Sequence, residues 1–230
     1  VYQKVLAIAN KEQRGYITPQ EFNLFADHAQ KEIFEQYFYD INQFGRMPGN
    51  NTEYSDMLNL LNEKIAIFKA QTVLTPSVLL SGSPIFKIPA NIITKWHSLG
   101  TMLYQGIEAQ QVSYNELLQV AKSPLLKPSK TLPVFYERSD GYIIKPDEIT
   151  SGVICTYIRN PEKPNWSYQV VNEKPFFFNN DDSQNFELHV SEESELIYRI
   201  LALAGIMLEK PQLTQSAITL EGAKVQQEKQ

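Results

Sequence analysis

The sequence predicts an α+β fold: a helical bundle formed by N- and C-terminal helices, with an inserted β-rich domain. Three observations predict it. Apolar residues recur at helical spacing near both ends of the chain. Between those blocks Pro and Gly become frequent and apolar runs shorten to strand length. The 230 residues are 43% hydrophobic and 20% charged, which allows a packed core and argues against wholesale disorder. The expected division is a helical part over 1–74, a β-rich part with one short helix over 75–190, a closing helix over 191–211 and a docking tail over 212–230.

Val1, Val5, Leu6 and Ile8 suit a short first helix. The second helix has a strong start. Thr18 is an N-cap, Pro19 fits the first helical position, and Glu21 completes a capping box. Ile17 and Phe22 occupy the positions of a hydrophobic staple. Phe22, Phe25, Ala26, Ala29, Ile33, Phe34, Tyr37 and Ile41 then form one apolar face, which ends near Phe44-Gly45. Thr52 is placed to cap a third helix whose stripe is Tyr54, Met57, Leu58, Leu61, Ile65 and Phe68. The long helices are expected to pair antiparallel.

In the middle, strands are expected at 85–88, 92–96, 134–136, 142–144, 153–158 and 168–171. Asp140-Gly141 is a hairpin signal. The 153–158 run is apolar on both faces, which predicts the central strand. Ser113 and Glu116 form a second capping box, with Val112 and Leu117 as its staple. Asn179 to Ser183 is a polar loop, after which Ser191 is expected to cap the last helix. Glu192, Glu193 and Glu195 lie at its positive end and Lys210 at its negative end. Leu196, Ile197, Ile200, Leu201, Leu203, Ala204, Met207 and Leu208 give it a wide apolar face, and Pro211 stops it. The tail beyond Gln212 is weakly apolar and suits ordering against a partner.

Several function classes are disfavoured. Net charge is −5 and the cations are scattered, without the basic cluster of a nucleic-acid grip. One cysteine, Cys155, excludes an internal disulfide, and with three His it argues against a zinc site. The apolar run around Cys155 predicts a buried thiol. No apolar run approaches the roughly 20 residues of a membrane span, so no membrane partner is expected.

No cofactor is expected. Nucleophile-elbow, zinc-protease, Walker and Rossmann patterns are all missing from the sequence. Two alternatives stand beside a non-enzymatic reading. One is a small calcium-binding or protein-binding module using Asn10 to Glu21, where Gly15, Ile17 and Glu21 match loop positions 6, 8 and 12. Its ligands fail at Asn10, where Asp belongs, and at Arg14, which puts a cation at position 5. The other is an unrecognised hydrolase, with His97 or His189 as the residues to test. Phe34, Tyr37, Phe38 and Tyr39, with Phe44, read as core rather than as a binding platform. Phe176, Phe177 and Phe178 in a strand place a ring on each face, which marks a subunit interface. Trp166 suits an anchor or a core position.

Three stretches resemble the virion structural proteins of crAss-like phages. They are GYITPQEFNLFADHAQKEIFEQYF (15–38), YNELLQVAKSPLLKPSKTLPVFYE with GYIIKPDEITSGVICTYIRNPEKPNW (114–137 and 141–166), and ELIYRILALAGIMLEKPQLTQSA (195–217). The helix–β–helix order is also similar to the head-to-tail adaptor, or tail tubular protein, of short-tailed phages. The resemblance implies a non-enzymatic ring, commonly twelve-fold, made in the bacterial cytoplasm and built into the virion. Its partners would be other copies of itself, the portal, neighbouring tail rings, and genomic DNA passing without specific binding. It also implies a portal-docking tail, here Gln212 to Gln230, with Leu213, Ile218 and Leu220 as contacts.

Overall fold

The computed structural model describes residues 1–9, 17–45, 52–78, 84–172, 174–178 and 182–207, with helical residues at 215, 218–220 and 222. The fold is mixed α and β, as the sequence predicts. The chain divides into two compact units: Val1–Ile67 with Pro161–Gln230, and Phe68–Asn160. The β-rich unit therefore starts and ends earlier than the expected 75–190. Its first strand is the polar run KAQTV, which carries no apolar signal. Glu162, Asn165, Trp166 and Glu187 are tied to a helix by side-chain amides, described below.

In the first unit, α1 (Tyr2–Ala9), α2 (Pro19–Gly45), α3 (Thr52–Ala66) and α6 (Glu193–Met207) are the helices. α2 packs against α3 and α6, and α1 against α6. The start of α2 has the expected chemistry. Thr18 N–H and Oγ1–H both donate to Glu21 Oε2 at 2.8 Å, and Glu21 N–H donates back to Thr18 Oγ1 at 3.3 Å. Ile17 and Phe22 are both buried. The core joins Phe22, Ala26, Ala29, Ile33, Phe34 and Tyr37 of α2 to Leu61 and Ile65 of α3. Leu196, Ile197, Ile200, Leu201 and Ala204 complete it from α6.

The start of the last helix differs from expectation. Ser191 lies inside a 3-10 turn, Val190–Glu192, and the capping residue is His189, whose ring accepts from Ser191 N–H. The cap lies two residues upstream of the expected one: the imidazole nitrogen accepts from Ser191 N–H, and the Ser191 hydroxyl donates to Glu192 at 3.0 Å.

The second unit is an eight-stranded sheet. Its strands are β1 (Lys69–Val73), β2 (Thr75–Val78), β3 (Pro84–Lys87), β4 (Trp96–Tyr104), β5 (Ile107–Gln111), β6 (Val134–Arg138), β7 (Gly141–Lys145) and β8 (Val153–Arg159). Their order is β1-β8-β4-β5-β6-β7-β3-β2. All neighbours pair antiparallel except β5 and β6. The two edge strands, β1 and β2, are separated in sequence by Leu74 alone. The sheet must therefore curl until its edges meet, which leaves it nearly closed. Leu74 is buried at that seam, and its N–H donates to Val153 O at 2.9 Å. Register shifts in β4 help the curl. There the Thr156 hydroxyl accepts from Thr101 N–H at 2.7 Å and donates to Thr101 O.

Inside the curl lie Leu74, Phe86, Met102, Phe135, Tyr142, Ile144, Val153 and Cys155. β8 is not the doubly buried central strand. It lies next to edge strand β1, and only Val153, Cys155 and Tyr157 are buried, in strict alternation. A curled sheet has one interior, so the other face of β8 stays half-open. The expected strand at 92–96 is a short helix, α4 (Ala90–Ile93), running into β4. Ile92 and Ile93 both donate to Pro89 O, so the turn after Pro89 overrides their β preference. The second capping box is present at α5 (Tyr114–Val120), between Ser113 and Glu116. The Asp140-Gly141 hairpin joins β6 to β7.

Candidate functional site

The candidate site is an aromatic surface of the first unit, and two amides of α2 position it. Asn23 Nδ2 donates to Asn165 Oδ1 at 2.9 Å, while Asn23 Oδ1 accepts from Trp166 N–H at 2.8 Å. Two turns along the helix, Gln30 is fully buried. Its Nε2 donates to Glu162 O at 2.8 Å and its Oε1 accepts from Glu187 N–H at 3.1 Å. Glu187 then closes the knot, its carboxylate accepting from Glu162 N–H at 2.7 Å. These bonds fix both the 162–166 segment and Glu187 against the helix. The signal for them was present in the sequence: Asn23 and Gln30 are amides set among the apolar residues of α2.

Fixing this segment presents its rings. Tyr2 lies 4.1 Å from Trp166 and 4.7 Å from Phe22, centroid to centroid. Trp166 stacks on Tyr168 at 5.8 Å and meets Phe177 at 6.0 Å. Trp166 therefore sits half-buried in a cluster of rings. Tyr2, Leu6, Phe22, Trp166, Phe176 and Phe177 line an open groove of about 590 Å³.

Beside the groove is a two-stranded hairpin, β9 (Tyr168–Val171) with β10 (Lys174–Phe177). Phe176, Phe177 and Phe178 are 54%, 55% and 51% exposed, and Val170 and Val171 are also exposed. A hairpin of four-residue strands is marginal alone. It is held here by Trp166 and by Phe178 N–H, which donates to Ser167 O at 3.1 Å.

The other expected residues are dispersed. Ile218 and Leu220 are helical and about half exposed, and Leu213 lies outside the described residues. Of the calcium-loop residues, 10–16 lie outside the described residues, and Glu21 is engaged by Thr18. The backbone bond from Thr18, then its side-chain bond, hold the Glu21 carboxyl below its ordinary range. His189 caps the 3-10 turn, and His97 lies in β4 of the second unit. Cys155 is buried, and burial pushes its thiol up to about 11, which suits packing rather than nucleophilic attack.

Among the described residues no three His, Cys, Asp or Glu converge as a metal site, and no helix is long and apolar enough to cross a membrane. A second shallow depression, on α2 and α6, has its charges paired. Arg199 donates to Glu195 at 2.8 Å, and Lys31 to Asp27 at 2.8 Å. The arrangement at the aromatic surface is suited to burial against another macromolecule. No known protein family model matches the chain, and no curated protein matches it.

Proposed function

We propose that this chain is a non-enzymatic virion protein that forms a ring in the head-to-tail connector or tail of a short-tailed phage. One observation carries the reading. The hairpin at Phe176, Phe177 and Phe178 exposes three large rings beside an aromatic groove, on a unit otherwise built on a well-buried core. A contiguous exposed apolar patch of this kind marks an interface. In this reading the helices of the first unit form a bundle and the β-rich unit is inserted into it. The ring, of about twelve copies, docks under the portal and surrounds the DNA channel. The net charge of −5 lets DNA pass without specific binding. Ile218 and Leu220, both exposed, belong with Leu213 to the portal-docking tail.

Light scattering tests this. The mass of the chain is measured alone and then mixed with the portal of the same genome. The expected result is a ring or a stoichiometric complex, and removal of Gln212 to Gln230 abolishes portal binding. A chain that stays monomeric and ignores the portal overturns the reading.

A further inference from the structure

The connection after α5, in the second unit, is basic and apolar at once. Between Glu116 and Glu137 there is no Asp or Glu, while Lys122, Lys127 and Lys130 fall within that stretch. Lys130 is paired with Glu148 at 3.0 Å. Lys122 and Lys127 are exposed and flank Leu125 and Leu126, which are 93% and 56% exposed. A leucine this open projects from the surface as a tip.

The backbone of the tip is largely closed on itself. Pro124 and Pro128 have no N–H to satisfy. Leu126 N–H donates to Ser123 Oγ at 3.4 Å, and Lys127 N–H donates to Ser123 O at 3.1 Å. Over residues 124–128, only the N–H of Leu125 is not answered by these features. Entry into lipid demands this, because no water is present there to pair with a backbone donor.

Shape and charge point the same way. A protein partner would need a pocket matched to the projecting pair, whereas a bilayer interface opens around it. Lysines flanking the pair can stay at the headgroups while the leucines pass below them. An anionic headgroup surface supplies the opposite charge.

We propose that the Ser123–Lys127 turn is a membrane contact: Leu125 and Leu126 enter the interface of an anionic bilayer, with Lys122 and Lys127 on its headgroups. The contact uses the second unit alone and does not rest on the ring reading. It enters from one side and needs no spanning helix, so the lack of an apolar run of that length does not bear on it.

Vesicle flotation of the full chain tests it, using neutral phosphatidylcholine vesicles and vesicles with about 30% phosphatidylglycerol. Leu125→Gln with Leu126→Gln removes the tip without changing charge, and Lys122→Gln with Lys127→Gln removes the charge. All four side chains are exposed, so native melting midpoints are expected. Phe176→Gln, on the aromatic surface of the first unit, is the control. The native chain should float with the anionic vesicles, and binding should weaken as salt rises from about 0.05 M to about 0.5 M. The leucine variant should bind roughly tenfold more weakly or worse. The lysine variant should lose about fivefold per lysine. The control should bind as the native chain does. A native chain that ignores anionic vesicles, or binds neutral ones equally, overturns the proposal. Binding that survives loss of the leucines is adsorption by charge alone and also overturns it. Binding lost in Phe176→Gln but kept in the leucine variant overturns it too, by moving the lipid contact to the aromatic surface.

Discussion

Lys64 of α3 and Glu192 of the 3-10 turn form an ion pair in the interior of the first unit, with side chains 8% and 2% exposed. Ser191 Oγ–H also donates to Glu192 at 3.0 Å, and the Lys64 ammonium lies 5.7 Å from the centroid of the Tyr37 ring. Removing one partner leaves a buried charge uncompensated. Lys64→Met is expected to destabilise the chain by about 3–5 kcal/mol. Lys64→Met combined with Glu192→Leu should be less destabilised than Lys64→Met alone. Denaturant unfolding of these variants checks both orderings.

The capping box at α2 gives a pH-dependent contribution. Hydrogen bonds from Thr18 depress the Glu21 carboxyl below 4.5, its ordinary value. Its stabilisation is therefore complete above that pH and is lost as pH falls through the lower folded value. Thr18→Ala should cost about 1 kcal/mol at neutral pH. It should also flatten the acid limb of the stability profile, measured by thermal melts across pH.

Cys155 gives the opposite dependence. Burial raises its thiol from 9.0 to about 11, so the folded chain holds the proton longer than the unfolded chain. Stability should fall as pH rises from about 9 toward 11. At pH 8 a thiol reagent should label Cys155 only as the second unit opens. Immediate labelling of the native chain would contradict this burial.

Gly141 has φ +144, and a Cβ there would lie 2.6 Å from both Phe86 O and Ile85 Cγ2. The hairpin packs its turn directly on β3. Gly141→Ala should cost roughly 1–3 kcal/mol, through backbone strain and the clash with β3, and calorimetry should show it. Gly106, also at positive φ but with open space around it, should report the strain alone and cost less.

Local chemistry was legible in the sequence. Both capping boxes, the Asp140-Gly141 hairpin and the apolar faces of α2 and α6 depend on residues within a few positions of one another, so spacing is enough to specify them. Exposure among the three Phe of 176–178 was also legible, because consecutive rings in a strand cannot share one face.

Other features were decided by partners distant in sequence. β1 and β5 are polar runs, KAQTV and IEAQQ, and become strands because β8, β4 and β6 lie beside them. The groove exists because Asn23 and Gln30 hold a segment more than 130 positions away. The cap at His189 is the exception, a local bond from the N–H two residues on. The sequence by itself determined the long helices, the capped starts of α2 and α5 and the mixed class, since hydrogen bonding within a turn and the 3.6-residue period are local. Only the tertiary structure decided the nearly closed sheet, the division into two units and the aromatic groove, since these arise from pairing between segments whose separation no local period encodes.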